Sequence, residues 1–314
     1  MSARKILVVV GATGAQGGGL AHAVLSDPQS GYLVRALTRK PDSARAQALA
    51  AQGAQIVAAD LDDANSLRAA FAGADAAFCV TNFWEHFSPE REIAQVRNMA
   101  EAAVFAGLRH VVWSTLEDTR RWMSLDDPRM PTLMGHYKVP HFDGKGEADA
   151  VFAALGVPTT RLLTSFYWDN LIHFGMGPKR NAAGRLVFAL PMGDARLPGI
   201  AAADIGRCVL GLLRRGDDFV GRMVGIAGEM PTGAEMAGVL ADGLGEPVDY
   251  QAMEPAAYRA LGFPGAEDLG NMFQFKRDFN AGFCAARDPQ LARVLNPELK
   301  SFRDWVAENA GALR

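Results

Sequence analysis

The feature that most constrains this chain is a glycine cluster, Gly11-Ala-Thr-Gly14-Ala-Gln-Gly17, placed directly behind an apolar run at 6–10 and ahead of a helix-forming stretch. A strand, a glycine turn and a helix in immediate succession form an arrangement suited to a dinucleotide. One glycine makes the tight turn, the next lets backbone approach a pyrophosphate, and the last packs helix against strand. The helix N-terminus then attracts the phosphates.

The glycine spacing is GxxGxxG, which suits extended relatives of the short-chain dehydrogenases. The rest of the first half repeats the same rhythm. Apolar runs fall at 6–10, 33–37, 55–59, 76–80, 110–113 and 160–163. Several are apolar on consecutive residues, as strands are when both faces of a parallel sheet are covered. Helical patterns lie between them, beginning near Gly17, Ser43, Asp62 and Asp143. The clearest, Pro89–Ala106, carries Ile93, Val96, Ala100, Ala103 and Val104 on one face, with Gly107 as its C-cap. Strands alternating with helices at this spacing imply βαβ units, and so a doubly wound parallel Rossmann sheet of the α/β class.

After Thr164 the rhythm breaks into aromatics, Gly and Pro, and a helix near 203–214 returns to the sheet. The expected division is a dinucleotide-binding domain at 1–164 with about 201–228, and a smaller, mainly helical C-terminal lobe from 165–200 and 229–314. The segment 117–140, rich in Pro and Met and weakly periodic, reads as a mobile loop that would order when the cofactor binds.

Composition narrows the function. A net charge of −3 gives no polybasic signature, so direct nucleic-acid binding is not expected. Three scattered cysteines, Cys79, Cys208 and Cys284, form neither a disulfide framework nor a thiolate metal site, and fit a reducing compartment. No apolar segment approaches the length of a membrane span, and a cytoplasmic location is expected.

Cofactor choice turns on the end of the second strand. NAD-binding forms place an acid there for the ribose 2′-hydroxyl, whereas this chain reads Leu37-Thr38-Arg39-Lys40. Arg39 can pair with a 2′-phosphate and stack on adenine, which points to NADP(H). Asp60-Leu61 ends the third strand near the adenine edge, and Asp62 or Asp63 caps the next helix. Thr81-Asn82-Phe83 ends the fourth strand beside the nicotinamide ribose.

Catalysis turns on His141-Phe-Asp-Gly-Lys145. Short-chain dehydrogenases carry Tyr-x-x-x-Lys here, with the lysine gripping the ribose and lowering the tyrosine pKa. The four-residue spacing puts both side chains on one helical face. This chain keeps the lysine and has a histidine in the tyrosine position, so His141 is a candidate acid/base and Lys145 a ribose ligand. Tyr137, four residues earlier, is no assured substitute. Ser114-Thr115 ends the fifth strand where dehydrogenases place a serine.

Together with Val80-Thr-Asn-Phe-Trp-Glu85, Phe166-Tyr-Trp-Asp-Asn170 and Gly262-Phe-Pro-Gly-Ala-Glu-Asp-Leu-Gly-Asn-Met-Phe273, these motifs resemble the NmrA-like family. The likeness is nearest to its branch of animal NADPH sensors and their bacterial counterparts. That family consists of atypical short-chain dehydrogenases that bind NADP(H), several acting as redox sensors or regulators without evident catalysis. The resemblance implies that Gly11, Thr13, Gly14, Ala15, Gln16, Gly17, Thr38, Arg39, Asp60, Leu61, Thr81, Asn82, Phe83, Lys145, Tyr167 and Asn170 line the cofactor site. The chain departs from that branch in a longer segment at 121–137 and in lacking a lysine near Ala94. The implied function is an NADP(H)-binding redox sensor or regulator; the alternative is an NADPH-dependent reductase of quinones or enones. Either a small-molecule substrate or a protein partner would occupy the C-terminal cleft, and self-association is compatible with both.

Overall fold

The computed structural model describes residues 4–314; residues 1–3 of the opening segment lie outside it. Six strands, β1 (Lys5–Val9), β2 (Tyr32–Thr38), β3 (Gln55–Ala58), β4 (Ala76–Cys79), β5 (His110–Thr115) and β6 (Thr159–Leu163), join Met223–Gly225 in one sheet. Its order is Met223–Gly225, β6, β5, β4, β1, β2, β3, with every pair parallel. From β1 the chain winds outward to β3, then returns to the other side of β1 at β4. The carboxyl ends of β1 and β4 therefore flank a switch point, where such sheets leave a crevice.

Helices cover both faces: α1 (Ala15–Leu25), α2 (Ala44–Ala51), α3 (Ala64–Phe71), α4 (Pro89–Ala106) and α5 (Pro140–Ala154). Alternate residues of β1 serve opposite cores. Leu7 and Val9 pack with Leu20 and Val24 of α1 and with Val209; Val8 and Val10 pack with Phe71, Met99 and Phe152. The helix Ala202–Arg215 crosses α1 at very close range. A Cβ on Gly206 would lie 2.0 Å from the Leu20 amide nitrogen.

Local chemistry sets the helix ends. Ser43, Asp63 and Ser88 cap α2, α3 and α4 through their side chains, and Gly107 closes α4 in the left-handed conformation (φ 64°). Asp63 rather than Asp62 is thus the α3 cap. The helix α5 begins at Pro140, ahead of the expected start at Asp143. The buried Asp143 carboxylate reaches back to accept the amides of Lys138 (2.8 Å) and Val139 (3.0 Å), so the first turn forms before it.

The C-terminal region is mainly helical, as expected, with Gly233–Leu244, Ala266–Asp278 and Phe302–Asn309 around a core that includes Trp168, Phe188, Phe273 and Trp305. It also holds a three-stranded sheet of Lys179–Arg180, Leu186–Leu190 and Val248–Ala252, which the expectation of a mainly helical lobe does not include. Short apolar runs such as Leu186–Leu190 have no periodicity that separates strand from buried helix.

The segment 117–140 is not the weakly held loop expected from its pattern. Met123, Met130, Tyr137 and Lys138 are buried. Asn271 donates to the carbonyls of Pro131 (2.9 Å) and Lys138 (2.6 Å), and Gln274 donates to that of Arg129 (2.7 Å). The ammonium of Lys138 turns inward onto the Met130 carbonyl at 2.6 Å. Its anchors lie on a helix more than a hundred residues away, so no local periodicity announces them.

Candidate functional site

A cleft of about 450 Å³ opens at the carboxyl ends of the central strands, between the sheet and the helix Ala266–Asp278. Its floor is the glycine turn. Gly11 takes a left-handed conformation (φ 63°), and a Cβ on Gly17 would stand 2.4 Å from the Gly11 carbonyl oxygen, so the last glycine does let helix pack on strand. The α1 N-terminus has no side-chain cap and no acidic residue in its first turn. Its leading amides are thus available to an anion, which is the fit a pyrophosphate requires.

The rim gathers nearly all the residues singled out from sequence. Gly11, Gly14, Ala15, Gln16 and Gly17 line the cleft from the turn; Thr38 and Arg39 from the end of β2; Asp60 and Leu61 from the loop after β3; Thr81, Asn82 and Phe83 from the loop after β4. His141, Lys145, Tyr167 and Asn170 also face it. Thr13 does not. It lies on the outer side of the turn, lining a separate hollow with His22, Arg45 and Arg207. Arg39 forms an ion pair with Glu85 at 2.7 Å, both side chains about half exposed. Glu85 was not anticipated as a neighbour, and it occupies the guanidinium that a 2′-phosphate would use.

Deeper in, the ammonium of Lys145 donates to Thr81 Oγ1 and Glu92 Oε1, each at 2.6 Å, and to the Thr81 carbonyl at 3.3 Å. Glu92, on α4, is fully buried. Breaking such a pair leaves an uncompensated charge at a cost of about 3–5 kcal/mol. Glu92 therefore holds Lys145 in place and neutralises it.

One turn earlier on α5, Nδ1 of His141 lies 2.6 Å from Asp268 Oδ1, and the His141 amide donates to Asp268 Oδ2 at 3.2 Å. A carboxylate only accepts, so Nδ1–H is the donor and Nε2 is left for the cleft. Trp84, at 4.8 Å between ring centroids, and Phe142 fix the plane of the imidazole. Opposite, Gln16 donates to the Tyr167 hydroxyl (2.6 Å) and accepts from Ser114 (2.8 Å). Burial pushes the Tyr167 phenol up to about 12, so it stays neutral. Ser114 is buried and tied to Gln16, and lies behind the cleft wall.

Besides Glu85, three residues at or behind the cleft wall have no role in the sequence analysis: Glu92, Asp268 and Lys276. Glu92 looks like an ordinary first-turn acid, and Asp268 belonged to a motif that carried only the resemblance. Lys276 had a readable signal, since Leu269, Met272 and Lys276 share a helical stripe that faces the cleft. Among the described residues no group of His, Cys, Asp and Glu could hold a metal ion, and no helix is long and apolar enough to cross a membrane.

The fold and cleft define a Rossmann-type protein with an anion-ready glycine turn and, in the same cleft, a histidine paired with a carboxylate behind it. The chain belongs to the NmrA-like family, whose model matches residues 3–305. Among its relatives is the NmrA-like family domain-containing oxidoreductase ptmS of Penicillium ochrochloron, 27% identical over 98% of this chain and 99% of that protein. The oxidoreductase FrzB of Cladobotryum sp is 28% identical over 89% of this chain and 86% of its own length. The fold is that of NmrA, a negative transcriptional regulator solved in complex with NADP (TM-score 0.78, 21% identity, 98% and 95% of the two chains). It is also that of the Citrobacter sp. triphenylmethane reductase complexed with NADP(H) (TM-score 0.75, 18% identity, 98% and 99%).

Proposed function

We propose that this chain binds NADP(H) along the glycine turn and Arg39, and reduces a small quinone or enone held beneath the C-terminal helices. The observation that carries this reading is that His141, which lines the same cleft as Lys145, is paired with Asp268. The relatives of similar length named as oxidoreductases point the same way.

On this reading, residues 1–164 with 201–228 form the cofactor-binding part, and 165–200 with 229–314 cover the substrate. The free amides of the α1 N-terminus receive the pyrophosphate, and Arg39 exchanges Glu85 for the 2′-phosphate. Lys145, fixed by Glu92 and Thr81, orients the ribose. When bound, the dihydronicotinamide supplies a hydride. His141 supplies the proton that completes the reduction from Nε2, while Asp268 holds the ring and offsets the imidazolium charge. Burial makes the Tyr167 phenol a weaker acid than an ordinary tyrosine, and so a poorer proton source than an imidazolium.

A protein that only sensed its cofactor would need no oriented acid. The segment at 117–140, the expected switch, is already packed. The reductase therefore ranks above the regulatory role that the sequence put first. The test is NADPH oxidation by purified protein across small quinones and enones, in wild type and His141→Phe. Turnover that falls by roughly 10²-fold or more, with NADPH binding retained, is the expected result. Oxidation of none of them, or full activity in the variant, would overturn the reading.

A further inference from the structure

Lys276 is used by nothing described so far. It lies on the helix Ala266–Asp278, is only 3% exposed, and lines the cleft on the same helical stripe as Leu269 and Met272. Its ammonium makes no hydrogen bond or ion pair with any described residue. Instead it sits over four aromatic rings: Phe142 and Phe283 at 5.5 Å, Phe273 at 5.7 Å and Phe166 at 5.9 Å. Ring faces attract a cation but give its N–H groups no acceptor, so the amine keeps unspent donors.

The other cations of the cleft are already matched. Lys145 has Glu92, and Arg39 has Glu85. Near Lys276, Arg287 is tied to Glu117 at 2.5 Å and to the Thr164 carbonyl. Lys276 is thus left as a buried amine without a counter-charge, set among aromatic rings and facing the pocket.

We propose that the Lys276 ammonium is the recognition point for an anionic oxygen, such as an enolate, phenolate or carboxylate, on a flat and mostly apolar substrate. Two of the rings that cage the amine, Phe142 and Phe166, line the cleft and supply an apolar wall for such a molecule, and the charge supplies what the rings lack. Burial lowers the amine to about 7, with Arg287 pushing the same way and Glu117 opposing. The free site therefore holds both charge states near neutrality, and a bound anion draws it to the ammonium. His141, also on the cleft, is already engaged with Asp268 behind it. The proposal names the substrate class for the reductase reading and rests on it for its meaning, but its test needs no turnover.

The probes are naphthalene-2-carboxylate and its neutral amide, titrated calorimetrically into protein saturated with NADP⁺. Wild type should bind the carboxylate at least tenfold more tightly than the amide. Lys276→Met, whose thioether suits the aromatic cage, should bind both within about twofold of each other and leave NADP⁺ affinity unchanged. It should also melt no lower than wild type, because an unpaired buried charge has been removed. A wild type that does not bind the carboxylate or does not prefer it overturns the proposal without any variant. A preference that survives in Lys276→Met, or in Lys276→Gln should Met fail to fold, overturns it as well. Retained anion preference with no NADPH oxidation would reject the reductase reading and leave this site standing.

Discussion

His141 and Asp268 meet at 2.6 Å although 127 positions separate them in the chain. The contact joins α5, which also carries Lys145, to the helix that closes the cleft. It has a direct kinetic consequence. Asp268→Asn keeps an oxygen to accept Nδ1–H but loses the charge that offsets an imidazolium. Turnover should fall by about 10²-fold, the lower end of what positioned proton transfer contributes, with the KM for NADPH unchanged. Steady-state kinetics on the best quinone or enone decides it; wild-type turnover in the variant removes the dyad from the mechanism.

Arg39 and Glu85 make opposite predictions for the cofactor. Arg39→Ala should cost NADPH on the order of 1.5–3 kcal/mol and NADH almost nothing, since only the former has a 2′-phosphate to pair. Glu85→Gln frees the guanidinium, and should tighten NADPH by roughly 0.5–1 kcal/mol, the scale of an exposed ion pair. Calorimetric titration of both cofactors into the three proteins checks this. Equal wild-type affinities for NADPH and NADH would remove the 2′-phosphate contact.

The segment 117–140 should be protected from hydrogen exchange even without cofactor, because Asn271, Gln274 and Lys138 satisfy its carbonyls from within. Asn271→Ala strands the buried carbonyl of Lys138 and frees the half-exposed one of Pro131, and should cost about 1–3 kcal/mol. Exchange should then rise first around residues 131–138. Rapid exchange in the wild-type apoprotein, slowed by NADPH, would restore the segment as a cofactor-driven switch.

Two buried groups oppose each other in acid. Burial lowers His110 from 6.5 to about 4, and its Nδ1 has no partner. A depressed folded value stabilises above about pH 6.5, and that stability is lost as pH falls toward 4. Burial raises Asp149 from 3.8 to about 6, despite a 2.9 Å bond from Trp113 Nε1. A raised folded value stabilises below about pH 4, and that stability is lost as pH rises through 6. Each is worth about 3 kcal/mol. Asp149→Asn, whose amide oxygen still accepts from Trp113, should gain up to that amount at pH 7.5 and nothing at pH 4. Its stability should therefore decline in acid more steeply than wild type. Parallel denaturation curves at pH 4, 5.5 and 7.5 would reject this pairing of effects.

Much of the sheet was legible because its signals are local. Consecutive apolar residues at 6–10 or 76–80 mark strands covered on both faces, and Ser43, Ser88 and Gly107 act within one turn of the helix they bound. The glycine turn is legible for the same reason: Gly11 and Gly17 meet each other six residues apart. The start of α5 differs from the expected one because Asp143 caps amides behind it, and the three-stranded C-terminal sheet is not legible because its strands are short and one of its two pairings spans about sixty residues.

By itself the sequence determined a parallel α/β sheet, a phosphate-ready turn and a histidine one turn ahead of a lysine, all consequences of backbone propensity and short-range spacing. The tertiary structure alone decided what those side chains face. It gave Lys145 the buried Glu92, gave His141 the carboxylate of Asp268, turned Thr13 away from the cleft, and left Lys276 among aromatic rings with no counter-charge. Such pairings depend on where helices far apart in the chain come to rest against one sheet, and burial there turns an ordinary acid or amine into an orienting group or an unmatched charge.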